Sequence, residues 1–277
     1  MGRAVVQSCR AGHQVIAKTR SELSIDDESA VGRVLAETNP DWLVNAGAYT
    51  AVDLAEDEPQ AAAAINDTAV GIVAAAAARS GCRVLHLSTD FVFDGASSRA
   101  YLPSDAPNPL SVYGVTKLAG ERKLLDGDGT GIVLRTAWVY ASAGRNFVLT
   151  MLRLMKEREQ IRVVSDQIGA PTWAGGLGGI IWGLLDAQAP AGIYHWTDLG
   201  VASWYDFAVA IQEEALARGL LSRPSEVIPI ATADYPTRAR RPTFSVLDTT
   251  ATRRLAVAPA AHWRTNLRKM LDELRTA

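Results

Sequence analysis

The sequence predicts an α/β fold built on a doubly wound parallel sheet, followed by a smaller C-terminal α/β lobe. Three observations predict this fold. Short apolar runs alternate with amphipathic helical stretches up to about residue 140, an order typical of parallel strands joined by crossover helices. The run Val84-Leu85-His86-Leu87 is apolar almost throughout, as expected for a strand that is covered on both faces. Prolines become frequent beyond residue 140, so we place the first domain at 1–140 and the second lobe at 141–277, with some interleaving.

Each element follows from its local pattern. Strands are predicted where apolar and β-branched residues cluster, at residues 41–46, 83–88, 131–136, 161–165 and 192–195. Helices are predicted where apolar positions recur at helical spacing, at residues 27–37, 59–79, 111–125, 146–159, 174–187 and 204–218. Pro59 at the start and Gly81 after the end mark the limits of the alanine-rich helix.

The start of the chain departs from this pattern. An apparent helix at residues 3–10 follows Gly2 directly, and a strand is predicted near residues 14–17. In a Rossmann-like, doubly wound nucleotide-binding fold, a strand and a glycine-rich turn precede such a helix, and here only Gly2 remains of them. We therefore expect weakened cofactor binding and an exposed strand edge. A wrongly assigned start codon is our preferred explanation, with degeneration and truncation as the alternatives.

Composition limits the classes of function. The chain has 277 residues, a net charge of −2 and 48% hydrophobic residues, which are ordinary values for a globular protein. This charge gives no reason to expect nucleic acid or an anionic membrane as a partner. We expect no apolar run to approach the ~20 residues that span a bilayer. Cys9 and Cys82 form neither a disulfide framework nor a metal-binding pair, so we expect reduced cysteines. Together with the expected lack of a membrane-spanning run, this predicts no membrane association and a cytoplasmic location.

Tyr113 and Lys117 carry the strongest chemical signal. They are four residues apart on a predicted helix, so their side chains lie on one face and can reach one substrate. A phenol has a pKa of ~10, and a nearby ammonium favours the phenolate, so such a pair can exchange a proton with a carbonyl or alcohol oxygen. This spacing is common by chance, and two surface residues of a helix are the alternative interpretation.

A hydroxyl at a strand end strengthens this interpretation. Ser88 ends the strand predicted at 83–88 and Thr89 directly follows it, at the carboxyl edge where parallel sheets bind ligands. Either hydroxyl could bind the substrate oxygen that Tyr113 protonates, and capping or turn formation is the alternative role.

Two further segments are typical of a dinucleotide site. Ala46, Gly47 and Ala48 end another strand, and small side chains let a cofactor approach the backbone, although tight packing would explain them equally well. Arg20 follows the strand predicted at 14–17, where an arginine can accept the 2′-phosphate of NADP. An exposed arginine without such a role is the alternative.

With these residues in view, the chain resembles the dTDP-4-dehydrorhamnose reductases, which are extended short-chain dehydrogenases/reductases. The resemblance runs nearly end to end. It rests on residues 45–53 (NAGAYTAVD), 88–93 (STDFVF), 113–121 (YGVTKLAGE), 135–140 (RTAWVY), 166–172 (DQIGAPT) and 235–242 (YPTRARRP). The spacing of Tyr113 and Lys117 is shared by the whole superfamily, whereas the last two segments narrow the resemblance to the reductases and their close relatives.

The resemblance implies an NADPH-dependent reduction of the 4-keto group of dTDP-4-dehydro-L-rhamnose, giving dTDP-L-rhamnose in nucleotide-sugar biosynthesis. It implies that Thr89, Tyr113 and Lys117 are catalytic, and that Tyr113 gives a proton to the C4 oxygen. The implied cofactor contacts are Gly2, Arg20, Ala46, Gly47, Ala48, Tyr113 and Lys117. The implied substrate contacts are Thr50, Val52, Thr89, Trp138, Arg240 and Arg241, where guanidinium groups suit a diphosphate.

The resemblance also makes residues 1–140 the NADP-binding domain and 141–277 the nucleotide-sugar-binding lobe. It implies NADPH, with NADH as the alternative cofactor. It implies a homodimer that could hold magnesium at the dimer contact, with no metal at the active centre. Two residues depart from the family pattern: Phe91 stands where many members have tyrosine, and Ser24 stands where many have aspartate near the adenine.

Two alternatives stay open at this point. The first is another sugar-nucleotide epimerase or reductase of the same superfamily. Epimerisation needs an additional acid-base pair, and the sequence offers no clear one, because we interpret His86 inside its apolar strand as a core residue. The second is a non-catalytic, NADP-binding regulatory subunit that resembles the one of methionine adenosyltransferase, against which the intact Thr89, Tyr113 and Lys117 argue.

Overall fold

The structure is a computed structural model that describes residues 1–127, 129–255 and 260–276. The helices are α1 (Gly2–Gln7), α2 (Glu28–Thr38), α3 (Pro59–Ala63), α4 (Ala69–Ser80), α5 (Val112–Leu125), α6 (Phe147–Glu157), α7 (Ala174–Asp186), α8 (Trp204–Ala217), α9 (Thr250–Leu255) and α10 (Trp263–Thr276). The strands are β1 (Trp42–Asn45), β2 (Arg83–Thr89), β3 (Ile132–Thr136), β4 (Val139–Tyr140), β5 (Gln160–Val164), β6 (Ile168–Gly169), β7 (Thr172–Trp173), β8 (Gly192–His195), β9 (Ala202–Ser203) and β10 (Glu226–Ile230).

A parallel sheet of four strands in the order β1-β2-β3-β8 forms the centre of the fold. Its side chains alternate between two faces because successive residues of a strand point to opposite sides. Val84 and Val133 pack on the face that α2 and α4 cover, and Leu85 and Leu134 pack on the face that α1 and α7 cover. Helices on both faces confirm the predicted doubly wound α/β architecture.

A second core lies in the C-terminal lobe. The parallel pair β5 and β10 packs there with α6, α8 and α10 around Phe207 and Trp263. Two elements that follow residue 140 nevertheless belong to the central sheet: β8 is its edge strand, and α7 covers one face with Leu177 and Ile181. The chain therefore returns from the C-terminal lobe to the central sheet and then continues into the lobe again.

The strand predicted at residues 14–17 is wrong. These residues form neither helix nor strand and have no hydrogen-bonded neighbour strand, and among the described residues β1 pairs with β2 alone. A strand needs a paired neighbour to satisfy its backbone groups, and no described strand lies on the free edge of β1. Val15 still packs against the core, whereas Ile16 is 49% exposed. The helix predicted at 3–10 also ends earlier, at Gln7.

One prediction about apolar runs needs correction. The helical segment Pro59–Ser80, continuous through a π-helical turn at Ala64–Thr68, is long and apolar enough to cross a membrane by length and composition alone. In the fold, Val70 and Val73 of this segment pack in the core with Val31 of α2. The segment therefore serves as a core helix of the central sheet.

Candidate active site

Two of the three proposed catalytic residues, Thr89 and Tyr113, meet at the carboxyl edge of the central sheet. Thr89 is the last residue of β2 and lies opposite Thr136 of β3 in the ladder. Tyr113 lies in the first turn of α5, half-buried, with its ring edge-on to Phe91 at 5.5 Å between centroids. The Thr89 hydroxyl lies close enough to the Tyr113 phenol to lower the pKa of that phenol. The structure therefore brings two of the three predicted residues together where parallel sheets bind ligands.

The start of α5 is fixed by a cap and by a glycine. Ser111 is the N-cap, and its hydroxyl accepts a hydrogen bond from the backbone N–H of Gly114 at 3.2 Å. A Cβ atom at Gly114 would lie 2.2 Å from the carbonyl oxygen of Phe91. Only glycine lets the helix approach the backbone after β2 this closely, and this approach places Tyr113 beside Thr89.

We predict that Gly114→Ala moves the first turn of α5 away from Phe91. Overpacking against backbone should cost about 2–3 kcal/mol of unfolding free energy. A displaced Tyr113 should also lower kcat by about a hundred-fold. Gly179→Ala on α7 is the control, because nothing lies within 4 Å of its Cβ position, and alanine there should be neutral or stabilising by up to ~1 kcal/mol. Denaturant unfolding and steady-state kinetics measure both effects, and a Gly114→Ala enzyme as active as Gly179→Ala would contradict this reading.

The acid-base state of Tyr113 differs from the sequence expectation. Burial raises the pKa of Tyr113 to about 12, the Thr89 hydroxyl lowers it, and the nearby Asp90 carboxylate raises it. The expected stabilisation of a phenolate by Lys117 is not seen. A phenol that stays protonated near neutral pH can donate a proton, which is the role needed when a carbonyl oxygen gains one.

Lys117 lies one turn after Tyr113 on α5 and is only 1% exposed. Its Nζ lies 3.0 Å from Nε2 of His86 and donates a hydrogen bond to the carbonyl oxygen of Leu87 at 2.7 Å. Burial lowers the pKa of Lys117 to about 8, and the carboxylate of Glu121 opposes this decrease. Lys117 is therefore held against β2 by two acceptors, in a site where its charge is easily lost.

Asp90 is an ionisable group of this edge that sequence reasoning missed. It directly follows Thr89, whose hydroxyl donates to its Oδ1 at 3.1 Å, and its Oδ2 is buried without a hydrogen-bond partner among the described residues. Burial raises the pKa of Asp90 to about 6, against hydrogen bonds from Ser245 and Thr89 that lower it. The sequence did hold one signal for a role of Asp90 in the site, because this residue directly follows a candidate catalytic threonine at a strand end.

The loop that follows β1 is built of small residues, which let a dinucleotide approach the backbone. Ala46, Gly47 and Ala48 leave the sheet at its carboxyl edge, and the Cβ position of Gly2 lies 4.0 Å from Ala46. A Cβ at Gly47 would lie 3.3 Å from Ile25, so a larger residue would fill this space. Nδ2 of Asn45 is buried there without a described partner, which leaves a donor for a ligand oxygen. The small loop and this donor fit the phosphates and sugars of NADP.

Asn66 fixes this loop from the π-helical turn. Its Oδ1 accepts from the backbone N–H of Tyr49 at 2.8 Å, and its Nδ2 donates to the Tyr49 carbonyl at 3.0 Å and to the Thr116 hydroxyl at 3.3 Å. The side chain is fully buried and thus ties the loop after β1 to α5. Arg20 is exposed in a turn, with no side-chain hydrogen bond to a described residue.

Trp138 lies between β3 and β4, two residues beyond the register partner of Thr89. Its backbone is left-handed, with φ of 51°, a conformation that is strained for a bulky residue. Its indole stacks on Trp204 at 3.5 Å and lies over Gly169, where a Cβ would come within 2.5 Å of it. Trp204, which sequence reasoning missed, and Gly169 therefore hold the indole at the edge of the sheet.

The remaining predicted substrate residues lie on two facing segments. Thr50 is exposed and Val52 is half-buried in the loop after β1. Arg241 pairs with Asp53 of this loop at 2.8 Å, and Asp53 also accepts the backbone N–H of Ala239 at 3.1 Å.

Arg238 pairs with Asp57 of the same loop, so the arginine-rich segment lies across it. Arg240 is exposed and makes no side-chain hydrogen bond with the residues that the structure describes. Nε of Arg241 is buried without a described partner, so this guanidinium keeps a donor for an anion although Asp53 holds its other end.

Comparison with known proteins identifies the relatives of this chain. The family model described as the RmlD substrate binding domain matches residues 1–276. The dTDP-4-dehydrorhamnose reductase of Aggregatibacter actinomycetemcomitans is 41% identical over 263 residues, covering 93% of this chain and 90% of the relative.

Solved structures agree with the sequence relatives. A crystal structure of the dTDP-4-dehydrorhamnose reductase of Clostridium acetobutylicum superposes with a TM-score of 0.92 at 34% identity, covering 99% of this chain and 95% of that one. The corresponding reductase of Bacillus anthracis, solved in complex with NADP, has a TM-score of 0.92 at 32% identity, covering 98% and 95%.

Proposed function

Because this chain belongs to the family of the RmlD substrate binding domain, we propose that it is an NADPH-dependent oxidoreductase that reduces the 4-keto group of dTDP-4-dehydro-L-rhamnose. The product is dTDP-L-rhamnose. The family membership over residues 1–276 is the observation that carries this function. The small loop after β1 and the free donor of Asn45 support NADPH as the cofactor.

The roles of the site residues follow from their chemistry. NADPH, when bound, supplies the hydride that C4 of the sugar accepts. Tyr113 donates its phenolic proton to the C4 oxygen, which balances the charge that the oxygen gains. Thr89, whose hydroxyl lies near the Tyr113 phenol and lowers its pKa, orients the phenol toward that oxygen. Lys117 binds the cofactor ribose through the N–H that His86 and Leu87 leave unused.

We assign residues 1–140 to cofactor binding and 141–277 to the nucleotide-sugar lobe, apart from α7 and β8. Trp138 at the sheet edge suits the sugar ring, since an aromatic face packs well against an apolar sugar face. Thr50 and Val52 would contact the sugar from the loop after β1. Arg241 suits the diphosphate through its free Nε, and the exposed Arg240 adds positive charge beside it. A cytoplasmic location is consistent with the free thiols of Cys9 and Cys82.

The direct experiment supplies the 4-keto sugar nucleotide with NADPH and follows the loss of nicotinamide absorbance. We expect one NADPH to be oxidised for each sugar reduced, and NMR of the product to show the rhamno configuration at C4. Tyr113→Phe controls for background oxidation. A product with inverted configuration at another ring carbon would indicate an epimerase, and the absence of NADPH oxidation would contradict the proposed function.

A further inference from the structure

His86 is buried beneath the candidate site, and its contact there is unusual for a core histidine. The side chain is 0% exposed, and its Nε2 lies 3.0 Å from Nζ of Lys117. Both groups are bases, so this contact needs one proton between them. The pKa of His86 is well below its ordinary value, because of burial and the charge of Lys117. The neutral imidazole therefore accepts a hydrogen bond from the Lys117 ammonium.

This contact is one of two that fix the lysine. The ammonium donates to Nε2 of His86 and to the carbonyl of Leu87, which are neighbours on β2. An ammonium has three N–H groups on a flexible stem, so two fixed acceptors determine the direction of the third. The protonated nitrogen of His86 is then Nδ1, which is buried without a hydrogen-bond partner among the described residues.

We propose that His86 is a positioning residue that, together with the carbonyl of Leu87, holds the Lys117 ammonium in its charged and oriented form. The hydrogen bond stabilises the charged lysine inside the protein, where desolvation works against it. The kinetic consequence rests on the proposed function, because it assumes that Lys117 binds the cofactor. The contact between the two side chains does not depend on that assumption.

Other ionisable groups surround α5 and stay unchanged when His86 is replaced. Those facing or flanking the helix are Tyr113 and Glu121 on α5 itself, Arg135 on β3, Asp90 after β2, Glu56 before α3, and Asp67 paired with Lys123. The Glu121 carboxylate favours the charged form of Lys117, but it also forms an ion pair with Nη2 of Arg135 at 2.6 Å. Within the described part of the chain, His86 is the side chain that accepts a hydrogen bond from Nζ of Lys117.

The test replaces His86 with leucine, glutamine and asparagine. Leucine removes the acceptor, glutamine puts a carbonyl oxygen near the position of Nε2, and asparagine is too short to reach Lys117. Removing an acceptor of the charged form lowers the pKa of that form, so the lysine should lose its proton at lower pH in the leucine and asparagine variants. His195→Leu is the matched control, because His195 is also 0% exposed in the same sheet but bonds the carbonyl of Tyr101 instead of a lysine.

The first readout uses the protein without cofactor. NMR of 13Cε-labelled lysine should show Lys117 titrating apart from the exposed Lys18, Lys123, Lys156 and Lys269, with Lys117→Arg giving the assignment. We expect the Lys117 midpoint to fall by about one pH unit in His86→Leu and His86→Asn, which corresponds to one hydrogen bond to a charged group. His86→Gln and His195→Leu should keep the wild-type midpoint. An unchanged Lys117 midpoint in folded His86→Asn or His86→Leu protein would overturn the proposal.

The second readout is the pH dependence of kcat/KM. We expect the alkaline limb to move to lower pH with the NMR midpoint. Because a midpoint near 8 would fall by about one pH unit, the charged fraction of Lys117 at pH 8, and with it kcat/KM, should fall about fivefold in His86→Leu and stay within about twofold of wild type in His86→Gln. A structural role alone would lower stability without moving this limb, as expected for His195→Leu. A shifted NMR midpoint in a protein that reduces no sugar nucleotide even as wild type would support the contact and contradict the proposed function.

Discussion

Tyr113→Phe is expected to lower kcat by about 10²–10⁴-fold, because the variant has no group that can protonate the C4 oxygen. The phenol is the acid at this edge that remains protonated throughout the neutral range, since burial raises its pKa to about 12. Phenylalanine keeps the ring contact with Phe91, so the start of α5 should not move. Binding of the sugar nucleotide should therefore change little.

The measurement separates chemistry from binding. Stopped-flow oxidation of NADPH gives the rate of the chemical step, and calorimetry gives the affinity for dTDP-L-rhamnose. Tyr205→Phe in the C-terminal lobe is the matched control, because that hydroxyl makes no hydrogen bond with the described residues. Turnover of Tyr113→Phe within threefold of Tyr205→Phe would remove Tyr113 from its proposed role.

The sequence predicted the parallel sheet and its helices because their patterns are local. The strand from Arg83 to Thr89 follows from an apolar run, and the helix from Val112 to Leu125 follows from apolar positions at helical spacing. The prediction of a strand at residues 14–17 failed for a non-local reason. Its apolar residues fit a strand, but a strand exists only when a neighbour supplies hydrogen bonds, and no described strand lies there.

The sequence predicted which residues form the candidate site, but not which side chains contact one another there. Thr89 and Tyr113 could be placed at one edge because strand ends and helix starts meet there in parallel sheets. The direction of the Lys117 side chain could not be predicted, because it depends on His86 and Leu87, which are distant in sequence. His86 fits an apolar strand as a core residue, and only the packing of α5 on β2 shows that its ring nitrogen has a charged partner.

Glu121→Gln is expected to destabilise the fold by about 3–5 kcal/mol, because it leaves the Arg135 guanidinium buried without a counter-charge. Both side chains are 1% exposed, and they are joined at 2.6 Å by Nη2 of Arg135. The Ser88 hydroxyl also bonds Glu121, and the guanidinium lies over the Phe93 ring at 5.1 Å. Most of the loss in unfolding free energy would come from the buried, uncompensated charge of Arg135 and less from the lost contact itself.

This reasoning makes a second, opposite prediction for the double variant Glu121→Leu with Arg135→Met. Removing both charges removes the desolvation penalty together with the attraction, so the double variant should be within about 1–2 kcal/mol of wild type despite the unpaired Ser88 hydroxyl. Glu157→Gln is the control, since its pair with Arg153 is exposed at 60% and 52% and should change stability by less than ~0.5 kcal/mol. Unfolding in guanidinium chloride measures all of these variants at one pH.

The same pair links stability to the site. Glu121 lies one turn after Lys117, and its carboxylate raises the pKa of that lysine. Glu121→Gln should therefore move the Lys117 midpoint to lower pH in whatever fraction remains folded, by the same sign as loss of the His86 acceptor. The double variant should recover stability but keep the lowered midpoint, because no carboxylate returns. A double variant with both properties restored would mean that the Arg135–Glu121 pair affects Lys117 only through the packing of α5, and not through its charge.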